Sequence, residues 1–272
     1  MQLIDSHCHL HDKQFFDAET AEKYLKMAIT AGINKIVCIG TDGDDSLAAK
    51  EFAKKVNLRV EAGENLPKVY WTYGFHPFDA EKAVIQAGKS KFEEELTNFK
   101  KIVKNELETK EKPVAIGEIG LDYHYQPFDR AVQIACFEQQ LQLAVDLDLP
   151  VVFHIREAFD DFWTILQNFR LKSAVVHSFS DSAEILEKIL TKTDFYVGVN
   201  GLATFAKLPL PPLPRMILET DAPFLTPKPY RGKQNHPAMI ANISEFIAEK
   251  ENLSTLEVAK ATTENAERLY SL

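Results

Sequence analysis

Cysteine is scarce. Cys8, Cys38 and Cys136 are the only three in 272 residues. An odd, scattered set supplies no disulfide framework, so a reducing compartment is expected. Long apolar runs are missing too. No stretch approaches the roughly 18 residues that a membrane span requires, and no membrane partner is expected. The chain opens without a basic segment leading into an apolar one, because Asp5, Ser6 and His7 interrupt it at once; the expected location is cytoplasmic. Positive charge is in deficit: 31 Lys and Arg stand against 40 Asp and Glu, a formal net charge of −9. Proteins that coat duplex nucleic acid through phosphate contacts are usually basic, and this chain is not. Any nucleic-acid contact must be local, through metal ions and a few cationic side chains. No low-complexity tract or fixed-period repeat is present. Nothing in the composition requires more than a monomer.

Hydrophobic residues make up 45% of the chain, enough for a substantial core, and barrel domains run to roughly 200–250 residues. Residues 1–272 therefore read as a single domain. Apolar, β-branched runs recur at 3–9, 35–41, 69–76, 114–121, 150–156, 174–179, 195–200 and 216–221. Helical periodicity separates most of them. "AETAEKYLKMAITAG" closes on Gly32, a suitable C-terminal cap, and "FDRAVQIACFEQQLQLAVDLDLP" stops before Pro150. "DDSLAAKEFAKKV", "EAFDDFWTILQNF" and "SAEILEKIL" behave alike. The mixed-sign stretch "KSKFEEELTNFKKIVKNELETKEK" reads as a solvated amphipathic helix. Two helices follow the last strand, "PAMIANISEFIAEK" and "STLEVAKATTENAERLYSL", the second with Ser254 and Glu257 spaced for a capping box. This alternation predicts an α/β fold, a (β/α)8 TIM barrel. An open doubly wound sheet would want a glycine-rich turn where the first strand instead carries histidines. The barrel is expected to be distorted: Pro209, Pro211, Pro212 and Pro214 forbid a regular helix between strands 7 and 8.

Polar residues close these strands. "MQLIDSHCHL" places His7 and His9 two apart, hence on one strand face, while Cys8 alternates away and packs outside the lumen. Strand 3 ends at His76, strand 4 carries Glu118, strands 5 and 6 end at His154 and His177, and strand 8 ends with Glu219 and Asp221. The C-terminal rim of a barrel is where sites are built. A lone histidine after an apolar run is ordinarily satisfied by a backbone carbonyl. His7 and His9 on one face, joined by His154, His177 and carboxylates on neighbouring strands, point instead to cations. Imidazole with carboxylate suits Zn²⁺, Mn²⁺, Co²⁺ or Fe²⁺, or Mg²⁺ where carboxylate and water dominate. Six donors are more than one ion uses while keeping an open position, so two divalent ions about 3.5–4 Å apart fit better, with Glu118 able to bridge them. His11, His124 and His236 read as loop or surface residues.

"DSHCHL", "GFHP", "AIGEIGLDY", "HIREA", "HSFS", "LETDAPFL" and "PYRGKQNHP" follow one another in order along the chain. Together they resemble the signatures of TatD-type metal-dependent deoxyribonucleases, within the amidohydrolase-like metal hydrolase superfamily. The resemblance implies a distorted TIM barrel. It implies hydrolysis of phosphodiester bonds with divalent metals (Mg²⁺, Mn²⁺ or Zn²⁺), commonly as a 3′→5′ exonuclease on single-stranded DNA; RNA stays open as an alternative substrate. By motif, it implies His7, His9, Glu118, His154, His177 and Asp221 as metal ligands. Glu118 and Asp221 are then the catalytic carboxylates, the first shared between ions and the second a general base. Two departures bear on substrate preference. The proline-rich segment shortens the loop after "NGLATF", and "HSFSD" puts Asp181 where the family commonly has glycine, either capping the next helix or adding negative charge beside the site.

Around this set, His76 is a candidate substrate-binding residue by its motif. Arg156 shares the strand face of His154 and is fit either for a phosphate or for a salt bridge to Glu157 or Asp160. Arg231 and Asn235 are assigned to substrate or to loop anchoring, and Glu219 to orienting a ligand histidine. Tyr123, Tyr125 and Phe128 are placed either to stack a base or to pack the loop. Two rival functions remain. One is an amidohydrolase acting on a small amide, ester or aminoacyl ester, although such barrels often bridge their ions with a modified lysine near strand 4, where this chain has Glu118. The other is a non-catalytic barrel, which would leave a full set of buried donors without purpose.

Overall fold

A computed structural model describes residues 2–106, 109 and 112–272. Strands and helices alternate as β1 (Leu3–Cys8), α1 (Ala18–Thr30), β2 (Ile33–Cys38), α2 (Gly43–Glu61), β3 (Lys68–Trp71), α3 (Pro77–Ala87), α4 (Lys89–Glu106), β4 (Ile116–Asp122), α5 (Arg130–Leu147), β5 (Val151–Arg156), α6 (Phe159–Leu166), β6 (Ala174–Val176), α7 (Ala183–Lys192), β7 (Tyr196–Val199), β8 (Met216–Leu218), α8 (Ile240–Glu251) and α9 (Thr255–Tyr270). Part of the mixed-sign stretch after α4 lies outside the described residues. All strand pairs are parallel, in two arcs, β1-β2-β3 and β4 to β8. Parallel bridges Tyr73↔Ile116 and Cys8↔Ala222 join the arcs at both seams, giving the expected barrel. Between β7 and β8 the chain makes only short 3-10 turns, at Gly201–Thr204 and Leu213–Arg215, as four prolines dictate. Among the described residues no helix is long and apolar enough to cross a membrane.

The strands are shorter than their apolar runs. β3 stops at Trp71, and His76, expected as its last residue, instead caps α3: its Nδ1 accepts from the Phe78 N–H at 3.3 Å. Pro77 at the first helical position fixes φ where the N–H needs no partner, which starts a helix that apolar periodicity did not reveal. Asp17, Asp42, Asp129 and Ser182 cap α1, α2, α5 and α7, and the Ser254/Glu257 box closes on α9. Asp181 is therefore not the cap of α7; its carboxylate accepts from the Ser182 N–H.

Two apolar layers position the site. The outer one packs strand residues against helices. The inner one fills the lumen with Ile4, Val37, Ala115, Val152, Val175 and Ile217, and α9 seals it with Ala266, Leu269 and Tyr270. Period-2 alternation then raises a polar side chain directly above this plug: Val152 is followed two residues on by His154, Val175 by His177, and Ile217 by Glu219. On β1 and β4 simple alternation fails. Leu3 and Cys8, five apart, both face the helices, as do Ile116 and Ile119, three apart. Register shifts between Asp5 and Cys8, and between Ile116 and Ile119, account for both. Each bulge turns a ligand-type residue inward, His7 on β1 and Glu118 on β4.

Leu269 is buried at the closed end, far along the chain from the strands it seals. Leu269→Ala should lower the urea-unfolding free energy by about 2–5 kcal/mol through lost burial and a cavity. A change within error would show that α9 does not hold the barrel floor.

Candidate metal centre

Glu118 is the middle of the site. Its carboxylate is buried, and each oxygen faces a different imidazole group. Oε2 lies 3.4 Å from His7 Nε2, while Oε1 lies 2.7 Å from His154 Nδ1 and 3.5 Å from His177 Nε2. Donor atoms of His7, His9 and Glu118 converge within ligand range, as do those of Glu118, His154 and His177, so one carboxylate belongs to two candidate cation groups. Asp221 approaches from the other side, with Oδ1 3.5 Å from His9 Nε2 and 3.7 Å from His7 Nε2. All six residues expected as ligands therefore meet in one place.

The histidines are aimed by what holds their other nitrogen. His9 Nδ1 is 3.1 Å from the Ile39 carbonyl, which can only accept, so Nε2 is left for the cavity. His177 Nδ1 is 3.0 Å from Glu219 Oε1, an ion-pair distance but at an angle too poor for a hydrogen bond. Glu219 is in turn held by the Ser178 N–H at 2.6 Å. His154 Nε2 is 2.9 Å from Asp122 Oδ2. Asp122, absent from the ligand and support residues expected from sequence, stands four residues after Glu118 and so keeps its strand face. His7 differs: both ring nitrogens are buried without a hydrogen-bond partner. An imidazole so placed is costly unless something else takes its lone pair. With hard carboxylates and borderline imidazoles around it, the donor set fits a divalent cation.

Backbone strain gathers at the same mouth. Among the described residues, Asp148, Asn252 and Ser271 have positive φ as helix ends, whereas Glu157, Ser178, Asp221 and Leu225 have it in the loops after β5, β6 and β8. At Asp221 (φ 55°) the turn after β8 sends the carboxylate back over β1, fixed by the Asp221 N–H donating to the His7 carbonyl at 2.8 Å.

Charge is divided among the imidazoles. Burial alone would lower all of them. The Asp122 and Glu118 carboxylates overcome it at His154, raised to about 9, and Glu219, Glu118 and Asp221 overcome it at His177, raised to about 10. His7, stacked on His177 at 3.5 Å between ring centroids, is held down by burial and by its neighbour's charge. His76 falls to about 3 for the same reasons, its ring 4.4 Å from that of His154. Burial pushes Glu118 upward, but His177, His7 and His154 hold it well below the usual carboxylate range, and Asp221 is likewise lowered.

The cavity above the centre holds about 590 Å³ and is lined by five of the ligand candidates, His9, Glu118, His154, His177 and Asp221, with His76 and Arg156 beside them. Arg156 makes neither salt bridge considered for it; its guanidinium lies 5.0 Å over the Tyr125 ring, and Glu157 pairs with His124 instead. Exposed Phe15 and Phe224, in edge contact at 5.3 Å, form part of the opposite rim and were not foreseen. Arg231 does not line this cavity; it packs 3.7 Å over Phe205. Asn235 anchors the last loop, its side chain donating to the Thr220 and Phe224 carbonyls at 2.9 and 2.6 Å. Tyr123 packs the loop through Asp161 (2.6 Å) and Phe128. His11 and His236 lie in loops, as expected, but both are buried there: His11 pairs with Asp45 at 3.0 Å, and His236 stacks on Tyr24.

The family model described as TatD related DNase matches residues 4–271. YabD of Bacillus subtilis (strain 168), an uncharacterized metal-dependent hydrolase, is 34% identical over 279 residues, with 99% of each chain covered. The crystal structure of YJJV, a TatD homologue from Escherichia coli K12, gives a TM-score of 0.81 at 27% identity, covering 99% of this chain and 98% of that one. An uncharacterized amidohydrolase from Saccharomyces cerevisiae shares the fold, with a TM-score of 0.84 at 20% identity and coverage of 99% and 100%.

Two outcomes follow from the geometry. His154 and His177, raised to about 9 and about 10, carry protons at pH 7 in the metal-free chain. Mn²⁺ binding should therefore release protons and tighten as pH rises from 6 towards 9. Calorimetry in buffers of different ionisation enthalpy measures this, and zero release contradicts the assignment. A Cβ on Gly198 would meet Glu219 Oε2 at 2.4 Å. Gly198→Ala should therefore displace the carboxylate beside His177 and weaken Mn²⁺ binding by roughly 10–100-fold with an unchanged far-UV spectrum. Undiminished affinity would show that Glu219 does not orient that ring.

Proposed function

This chain belongs to the TatD-related DNase family and is a metal-dependent hydrolase, and from that premise we propose that it cleaves phosphodiester bonds in single-stranded DNA, removing nucleotides from the 3′ end. The observation that carries the reading is the sharing of Glu118 between two donor groups, His7 with His9 and His154 with His177. That arrangement suits two divalent ions, Mg²⁺, Mn²⁺ or Zn²⁺, a pair that would stabilise the attacking and leaving oxygens of an in-line displacement at phosphorus. His7, His9, Glu118, His154, His177 and Asp221 would hold them. The ions would supply Lewis acidity, lowering the pKa of water and neutralising charge on the phosphate.

The chain's own residues do the rest. Asp221, an ionised carboxylate held between His9 and His7, accepts the proton of the attacking water. Glu118 stays ionised and fixes the spacing of the imidazoles on either side. Arg156, free of carboxylate partners among the described residues and stiffened by Tyr125, is placed to grip a phosphate at the cavity wall. His76 is neutral and offers a hydrogen bond rather than a charge. Phe15 and Phe224 provide an exposed aromatic rim on which an unpaired base can stack, the preference expected for single strands.

Purified protein on end-labelled single-stranded oligonucleotide, with Mg²⁺ or Mn²⁺, should release mononucleotides from the 3′ end, and chelator should stop it. His154→Ala or Asp221→Ala should cut turnover by about 10²–10⁴-fold with an unchanged far-UV spectrum. Metal-dependent hydrolysis of small amides or esters alone, with the oligonucleotide untouched, would overturn the assignment in favour of the amidohydrolase chemistry.

A further inference from the structure

Beside the metal cavity lies a second one of similar size, about 560 Å³ against 590 Å³. The two share walls. The loops after β6, β7 and β8 each line both: Ser180 faces the metal cavity and Asp181 the second; Leu202 faces the first and Thr204 the second; Leu225 faces the first and Lys228 the second. The Lys228 N–H donates to Thr204 Oγ1 at 2.9 Å, tying two of these loops together. One wall is residues 203–209, the start of the stretch where prolines stand in place of a barrel helix.

This second wall is cationic. Lys207, Lys228 and Lys250 line it, with Asp181 the one carboxylate in the lining. Arg231 adds a guanidinium stacked on Phe205, itself a lining residue. Among the described residues, neither Lys207 nor Lys228 is held by an acidic partner, and Lys250 meets the Leu208 carbonyl at 3.4 Å and the Phe246 ring at 5.9 Å but no carboxylate. Carboxylates outnumber cations by 40 to 31 in this chain, so unpaired lysines gathered on one cavity go against its overall balance. They leave a local site for an anion beside the metal cavity.

We propose that the second cavity carries the sugar–phosphate backbone of a nucleic acid strand whose end lies at the metal centre, so that the two cavities form one path for a polymer. This rests on the reading of the substrate as single-stranded DNA. Lysines without fixed partners track phosphates regardless of sequence, and each contact adds salt dependence. The shortened loop between β7 and β8 is then the feature that opens the path, and Asp181 weakens it.

The test is binding of fluorescein-labelled dT20 with Mg²⁺, using full-length protein bearing Asp221→Ala so that the strand is not cut. Adding Lys207→Gln and Lys228→Gln should weaken binding roughly tenfold at low salt and reduce the slope of log Kd against log salt by about 1.4. Adding Asp181→Asn instead should tighten binding, a direction that misfolding would not produce. A matched pair, Lys55→Gln and Lys260→Gln, on exposed faces of α2 and α9, should change neither quantity. Loss of affinity equal to that of the matched pair, an unchanged salt slope, or no binding of dT20 at all overturns the proposal. Lysine-dependent binding alongside an unmodified protein that cuts no oligonucleotide would instead refute the proposed reaction.

Discussion

The structure depends on a buried carboxylate that has to be answered. Glu118 sits almost without solvent at the barrel mouth, and removing an ionised carboxylate from water is expensive unless partners compensate. His7, His154 and His177 do so from three different strands. The same contacts set the protonation of the whole cluster. His154 and His177 gain charge because they face carboxylates on two sides, while His7 and His76 lose it through burial and because each lies against one of those charged rings. A set of imidazoles divided in this way already provides the positive charge density that cations would replace.

Delivering Glu118 and His7 to the lumen requires breaking the strand period. On β5, β6 and β8 alternation suffices, and the residue two after the hydrophobic plug is the functional one. On β1 and β4 it would send the needed side chain outward among the helices, and a local register shift reverses it. The bulged strands belong to different arcs of the barrel. The inner plug, with α9 beneath it, is the reference plane from which every site residue is raised.

Around the centre, supporting residues do as much as the ligands. Asp122, Glu219 and the Ile39 carbonyl each fix one nitrogen of a histidine and leave the other for the cavity. Asn235, which the sequence left between substrate contact and anchoring, is buried and bonds the loop that carries Asp221 and Phe224. Cations are few but placed where an anion would come: Arg156 on the metal cavity, and Lys207 and Lys228 on its neighbour. An acidic protein can in this way keep a local attraction for polyanions without a basic surface.

Much of this was legible in the amino-acid order. Eight apolar runs, the helices between them, the Ser254 capping box and the prolines after β7 are local signals, because period, cap and ring constraint act over a few residues. The His-x-His of β1 and the donors after the other strands were legible for the same reason. Their sharing of one carboxylate was not, since that depends on strand order, closure of the two arcs and two bulges. Asp122 stands one residue past the apolar run that ends at 121, and His11 and His236 carry no local mark of burial. The second cavity exists only where three loops from different strands come together. Local periodicity fixed which side chains stand at each strand end; the closed barrel alone decided which of them meet, because contacts between strands more than a hundred residues apart leave no trace in either strand's own pattern.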